Sequence, residues 1–513
     1  MTAESPREAS SSVWRDLLAL GVLLGLAALL RLPDLATRGT WDGDQGHDML
    51  MLRAFVRDGV VPLLGPPTSI GDFHHGALYY YLLSPAALVT GGDSPLAVVT
   101  LIALGGIAAV GVTWWLARSI GGPVAGIVAG LLMAVSISAI DESIFIWNPN
   151  IIPLSSSVAL AGAWRAWATG RPRWWLVAAV GTAVTLQAHV LGVMLLPVIG
   201  ALLVADLRRT NAAARRGVAR AGLGFLAIVA VSYVPLVVHE LTTDFAEVRA
   251  ALDYLEGGRD PSPFDPVTRT AIVGIRVVTW PLVGLVTDAG VVALAAAALV
   301  LVVVAWAWRA GAGPERVAAR WLGLGLLWST VSLSLAAGSL ATVTRGLPND
   351  HYHAFADPMV FTLVGLGAAV AWRGVGRVGA ILVVAALVGW NLTHLPPAVH
   401  PDGGFPGARL AAERIGVAIG DRPTTLQSLP DFKSTEAFVY PLLLDGHVPV
   451  TPDRATALVL LCDDLFEAAI GAQCGGPAEE AAVGPSSRFV QLADRWEAAP
   501  GRWVSVYLAR AGG

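Results

Sequence analysis

Residues 17–33 read LLALGVLLGLAALLRLP, and residues 34–48 continue DLATRGTWDGDQGHD. A 14-residue apolar run from Leu17 to Leu30 is followed at once by a segment dense in carboxylates. The run stops at Arg31-Leu32-Pro33 with no small-residue cleavage site, so it reads as a first membrane helix, with a cleaved secretory signal as the minor alternative. Trp14, Arg15 and Arg31 flank it at the two interfaces. Ten further apolar runs follow, at Leu96–Ala117, Pro123–Ile140, Ile151–Ala168, Trp174–Ala188, Val190–Ala205, Gly222–Val238, Gly290–Trp308, Trp321–Val343, Phe355–Trp372 and Gly379–Leu395. Each approaches the ~20 residues that cross ~30 Å of hydrocarbon. The expectation is an all-α polytopic membrane domain of about eleven transmembrane helices, nine to thirteen being compatible with the pattern.

Composition points the same way. Of 513 residues, 55% are hydrophobic and 14% charged, and mean hydropathy is +0.63. A soluble domain carries about a quarter charged residues. The net charge of −4 removes the basic signature of a nucleic-acid binder, so no nucleic-acid partner is expected. The two cysteines, Cys462 and Cys474, form neither a zinc ribbon nor a CxxC pair.

Arginine sets the orientation, since Lys433 is the only lysine. Arg118, Arg165/Arg171/Arg173, Arg208/Arg209/Arg215/Arg216/Arg220, Arg309/Arg316/Arg320 and Arg373/Arg377 fall in alternate loops, which the positive-inside rule assigns to the cytoplasm together with the tail 1–14. Residues 34–95 then form one external loop, with His47–Asp58 and Ala77–Val89 as short interfacial helices. Thr268–Val286, interrupted by Arg276 and Pro281, reads as interfacial too. The membrane domain spans 15–395. Past it, 396–513 regain Pro, Gly and charge and form a small extracytoplasmic α/β domain, with strands at Ala457–Leu461, Phe489–Leu492 and Trp503–Leu508 and a helix at Ala408–Ile419. Both cysteines lie there, on the oxidising side, and a disulfide between them is open.

Few polar clusters remain to carry chemistry. Trp41-Asp42-Gly43-Asp44-Gln45-Gly46-His47-Asp48 packs three carboxylates and a histidine beside an apolar wall, which can raise one carboxyl pKa toward a working base or hold a divalent cation through Asp42 and Asp44. A hydrated loop with an Asp cap before Met49 is the competing reading. His74 and His75 open an aromatic segment in which Tyr79–Tyr81 read as an interfacial belt. Asp141 and Glu142 end the third span and read either as a solvated turn or as a second acidic wall opposite Asp44. Gln187 and His189 sit at the end of the fifth span. Arg345, His351, Tyr352 and His353 precede the tenth span, where a guanidinium and two imidazoles can cradle a phosphate.

In order and spacing, these residues resemble the integral-membrane glycosyltransferases of the C type, above all the bacterial group containing protein O-mannosyltransferases and the aminoarabinose transferases of lipid A. The family's acidic residue matches Asp44 in Gly43-Asp44-Gln45-Gly46. Its His-Pro-Pro-Leu-Tyr stretch matches His75-Gly76-Ala77-Leu78-Tyr79 without the prolines. Its second acid matches Asp141, and its late His-Tyr pair matches His351-Tyr352. The resemblance covers Leu17 to Leu395. It implies transfer of a hexosyl or pentosyl group from a polyprenyl-phosphate carrier to a hydroxyl or amine of a glycan, lipid or protein acceptor, at the outer face of the cytoplasmic membrane. Asp44 would be the base of an inverting displacement, Asp141 a second catalytic acid, and Asp42, His74, His75, Glu142, Arg345, His351, Tyr352 and His353 would bind substrate. A family lysine near the phosphate has no counterpart in that region, and a divalent cation is optional. A multi-pass transporter or flippase of lipid-linked saccharides is the alternative.

Overall fold

The computed structural model describes residues 6–68, 73–256, 262–284, 289–342, 350–431, 433–484 and 488–509. Helices dominate. Helix α1 (Pro6–Arg31) leads into the external segment, which holds α2 (Gly43–Asp58), a two-stranded ribbon of β1 (Leu64–Pro67) and β2 (His74–Gly76), and α3 (Leu78–Thr90). Helix α4 (Pro95–Val135) has 41 residues, about twice the length of one span. At Gly122, with φ 80° and Pro123 behind it, the chain leaves helical geometry, a conformation that glycine adopts without strain. The two arms then run back along each other. A Cβ on Gly130 would sit 3.0 Å from the Trp114 Cβ, and one on Gly126 would sit 2.7 Å from the Arg118 Cβ. The two apolar runs of this region are thus the arms of one hairpin, closed by small residues.

Every other apolar run also falls on a helix: α5 (Ile152–Thr169), α6 (Trp174–Ala188), α7 (Leu195–Arg209), the bent pair α8 (Ala212–Ser232) and α9 (Val234–Thr242), α11 (Gly290–Ala310), α12 (Gly313–Ala336), α13 (Asp357–Trp372) and α14 (Arg377–Thr393). Helix α10 (Pro266–Val283) precedes α11 and covers the segment with Arg276 and Pro281. Among the described residues, five helices are singly long and apolar enough to cross a bilayer, and the pair α8 and α9, bent by 45°, makes a sixth. Helices α3, α6 and α14 are apolar but shorter. The chain is a multi-pass membrane protein.

Helix α13 is the centre. Asp357 to Ala371 are all buried, and it packs on α4, α11 and α12. A helix apolar on every side belongs inside a bundle. Two arginines are also sealed in. Arg31, expected at the interface, is fully buried and donates to the carbonyls of Met133 at 3.1 Å and Ala134 at 2.8 Å, at the end of α4. There it satisfies acceptors that a helix terminus leaves open. Arg276, on the inward half of α10, pairs with Asp350 at 2.5 Å.

The bundle has two chemically different ends. Arg118 sits at the hairpin tip of α4, Arg208 and Arg209 end α7, Arg316 begins α12 and Arg373 follows α13. His189, Ala337 and His351 lie at the opposite ends of α7, α12 and α13, and Asn148 precedes α5.

Beyond α14 the C-terminal region carries a four-stranded sheet in the order β3-β4-β6-β5. The strands are β3 (Thr424–Leu429), β4 (Ala457–Asp463), β5 (Phe489–Ala499) and β6 (Arg502–Ala509). β3 and β4 are parallel and the remaining pairs antiparallel. The three strands read from the sequence are present. β3, TTLQSL, lacks their hydrophobic run, and its pairing with the buried apolar run Ala457–Cys462 of β4 makes it a strand. Helices α15 (Gly404–Ile419) and α16 (Glu436–Leu444) flank the sheet. Cys462 and Cys474 are joined in a disulfide.

Candidate active site

The acidic motif is not a loop. Its helix begins at Gly43, several residues earlier than hydrophobic periodicity shows, because Asp42 caps it. The Asp42 carboxylate accepts from the Gly43 N–H at 2.8 Å, and Gln45 Oε1 accepts from the Asp42 N–H at 2.8 Å, the reciprocal arrangement of a capping box. Asp44, His47 and Asp48 therefore sit at i, i+3 and i+4, on one face of α2.

That face borders a cavity of about 760 Å³. Asp42, Asp44, His47 and Asp48 line one side. His75, Trp147, Asn148, His189, His351 and Tyr352 line another. The third side comes from the C-terminal region, through Lys433, Ser434 and Glu436. Ring contacts tie the second wall together: His75 to His189 with centroids 4.9 Å apart, His189 to His351 at 5.5 Å, and His351 to Trp147 at 4.3 Å.

The carboxylates of α2 differ because their partners differ. Asp42 Oδ2 receives Lys433 Nζ at 2.8 Å and Oδ1 receives Arg502 at 3.0 Å. Burial pushes this carboxyl up, but the two cations outweigh burial and hold it below the usual range. Asp44 Oδ2 accepts from the Trp147 indole N–H at 3.1 Å. Asp44 is exposed to the cavity, yet protein surrounds it, and this burial together with the Asp42 charge raises its pKa. Asp48 is closed off, accepting from Tyr79 at 2.7 Å and Tyr80 at 2.9 Å, and burial pushes it up to about 7. His47 meets Glu436 at 3.0 Å. Burial opposes its charged form, but the Glu436 carboxylate prevails and raises its pKa.

The glycines of Gly43-Asp44-Gln45-Gly46 seat the C-terminal region. A Cβ on Gly46 would lie 2.0 Å from the Glu436 carbonyl oxygen, and one on Gly43 would lie 2.5 Å from the Ser434 Cβ. Trp41 donates its indole N–H to the Ala437 carbonyl at 2.8 Å across the same contact. Gly76 has the Gln187 side chain against it: a Cβ there would meet Oε1 at 1.8 Å.

Several expected site residues stand elsewhere. His74 does not line the cavity and binds Glu247 of the helix Ala246–Glu256 through its ring at 3.0 Å. Asp141 is exposed beside Arg38 and His400 and does not line the cavity. Glu142 is buried and accepts from Trp280 at 3.2 Å, so the pair makes no acidic wall opposite Asp44. His353 is sealed between Asp350 at 3.1 Å and Asp357 at 3.6 Å and serves the Arg276 ion pair instead of a cradle. Arg345 lies outside the described residues. Tyr79 and Tyr80 are fully buried and hold Asp48, in place of the interfacial belt expected of them.

Reading the sequence missed Lys433, Ser434, Glu436 and Arg502. A lone lysine in an arginine-rich chain was the available signal. The same residues decide how well a divalent cation fits at Asp42 and Asp44. Both Asp42 oxygens already hold cations, so this donor set does not fit a metal. Among the described residues, the metal-like grouping is Cys462, Cys474 and Glu479, and its two sulfurs are spent in the disulfide.

Comparison with known proteins bears on the whole chain. The family model of dolichyl-phosphate-mannose-protein mannosyltransferases matches residues 74–234, from β2 to the start of α9. The structure of ArnT from Cupriavidus metallidurans in the apo state is similar with a TM-score of 0.58 at 13% identity, covering 97% of this chain and 98% of that one. The ArnT structure bound to undecaprenyl phosphate scores 0.54 at 13% identity, covering 96% and 97%. The archaeal oligosaccharyltransferase AglB from Archaeoglobus fulgidus, in complex with an inhibitory peptide and a dolichol-phosphate, scores 0.50 at 13% identity over 89% and 70%. No curated protein matches the chain by sequence. The family model thus matches under a third of the chain, and the fold is similar to that of ArnT over nearly the full length of both chains.

Proposed function

We propose that the protein transfers a hexosyl or pentosyl group from a polyprenyl-phosphate carrier to an acceptor hydroxyl or amine, at the outer face of the cytoplasmic membrane. The observation that carries this reading is the contrast between two carboxylates on one helix turn. Asp42 is neutralised by Lys433 and Arg502, whereas Asp44 has only an indole donor and opens on a cavity ringed by imidazoles. The carrier class is supported by the similar ArnT and AglB structures, which were obtained with undecaprenyl phosphate and dolichol-phosphate.

In this mechanism Asp44 takes the proton of the acceptor nucleophile as it attacks the anomeric carbon, and the bond from that carbon to the phosphate oxygen breaks. The raised pKa of Asp44 suits a base. A single displacement inverts the anomeric centre. The lipid phosphate leaves with the bonding electron pair, and its charge is met by His75, His189, His351 and the ammonium of Lys433, donors already set around the cavity. Arginine-rich loops on the opposite end orient the cavity outward. The acceptor, whether glycan, lipid or protein, enters beneath the C-terminal domain, 396–513, beside Ser434 and Glu436.

The test is to supply purified protein with polyprenyl-phosphate sugars and an acceptor, and to follow lipid-phosphate release with and without Asp44→Asn. Release by the wild type and its loss in the variant support the reading. Movement of the intact donor across the bilayer without release marks a flippase instead.

A further inference from the structure

A second cavity, of about 680 Å³, opens at the arginine-rich end of the bundle beside the turn between α11 and α12. Leu301, Val304 and Ala305 form its apolar wall, and Trp308, Arg309, Arg316 and Arg320 form its mouth. Leu301, Val304, Ala305 and Trp308 fall at i, i+3, i+4 and i+7, a single stripe of α11. The stripe faces outward, Leu301 being 70% exposed, and it ends on a tryptophan at the depth where that side chain meets headgroups.

Among the described residues, the arginines at the mouth differ from three others on this end of the bundle. Arg118, Arg209 and Arg373, on the same end of the bundle, pair with Asp16, Asp206 and Glu315. Among the described residues, none of Arg309, Arg316 and Arg320 pairs with a carboxylate. Arg316 spends itself on the carbonyls of Gly311 at 3.1 Å and Arg309 at 3.3 Å, bracing the turn. Arg320 lies over the Trp308 ring at 5.5 Å. Three guanidiniums above an open apolar stripe are complementary to one class of ligand.

We infer that this cavity binds an anionic phospholipid. The phosphate sits among the three guanidiniums, whose planar forks suit phosphate oxygens, and one acyl chain lies along Leu301, Val304 and Ala305. The site is separate from the acidic cavity. Arg316 and Ala336, which lines the acidic cavity, are twenty residues apart on α12, roughly 30 Å along its axis, so the inference is independent of the sugar-transfer reading.

The experiment titrates the purified full-length protein, in neutral detergent, with phosphatidylglycerol, phosphatidylcholine or inorganic pyrophosphate and reads bound mass by native mass spectrometry. Phosphatidylglycerol is expected to bind and phosphatidylcholine not. Arg309→Gln with Arg320→Gln should weaken phosphatidylglycerol binding roughly 25-fold, about fivefold for each arginine lost near the headgroup. Arg316 is left in place because it braces the turn. Ala305→Phe fills the apolar half and should weaken phosphatidylglycerol while leaving any pyrophosphate binding as it was. Unchanged lipid affinity in both variants, or pyrophosphate binding as tight as the lipid, overturns the assignment.

Discussion

Lys433 Nζ lies 2.8 Å from Asp42 Oδ2, joining the only lysine of the chain to the N-cap of α2 across 391 residues of sequence. Both groups are partly exposed at the cavity rim, and Arg502 holds the other carboxylate oxygen. Removing the ammonium leaves Arg502 as the one cation on Asp42 and loosens the C-terminal domain over the cavity. Lys433→Met is expected to cut sugar transfer at least tenfold while lowering the melting temperature by only a few degrees, since a pair at this exposure contributes little to stability. Lys433→Arg should recover part of the rate. Equal rates in all three proteins would show that the pair plays no part in turnover.

Asp44→Asn keeps the shape and the Trp147 contact but cannot accept the proton. A positioned base contributes about 10²- to 10⁴-fold, and a loss of that size in lipid-phosphate release is expected, with donor binding retained. Asp42→Asn, which disturbs the cap and the ion pairs, should instead lower thermal stability.

Asp48 gives a pH signature. Its folded pKa of about 7 stands above the ~3.9 of an unfolded aspartate, so the folded state binds the extra proton between those values. Stability from this group is complete below about pH 4 and is lost as pH rises through 7. The melting temperature should therefore fall between pH 5 and pH 8. In Asp48→Asn, which stays neutral between Tyr79 and Tyr80, the slope should flatten. A slope unchanged by the substitution would mean that other groups set it.

Gly46→Ala places a methyl 2.0 Å from the Glu436 carbonyl oxygen, where backbone on both sides prevents relief. The expected cost is about 2 kcal/mol or more, in the range of overpacked positions, with protease sensitivity rising at residues 430–440. Gly21→Ala on α1 meets nothing within 4 Å and should leave the melting temperature within a degree or two. Equal behaviour of the two variants would refute the close contact.

Local patterns carried the membrane half of the protein. Hydrophobic runs name their own helices because a bilayer demands internally satisfied backbone over a set length, and α5, α7, α11 and α13 coincide with such runs. The spacing of Asp44, His75 and His351 placed three residues that do share a cavity. Asp141 and His353 were equally plausible by sequence. Their fates turned on which way a helix end faced and which charge stood nearby: Asp141 is left beside Arg38, and His353 is taken by Asp350 and Asp357.

By itself, the sequence determined that this chain is a bundle of apolar helices with a carboxylate-rich segment after the first and a small α/β domain after the last, because periodicity and hydropathy are properties of neighbouring residues. Only the tertiary structure decided that the α/β domain is a wall of the site. Lys433 and Arg502 reach Asp42, and Glu436 reaches His47, from the far end of the sequence, and the partners that neutralise Asp42 and leave Asp44 to the cavity are invisible until the chain has closed.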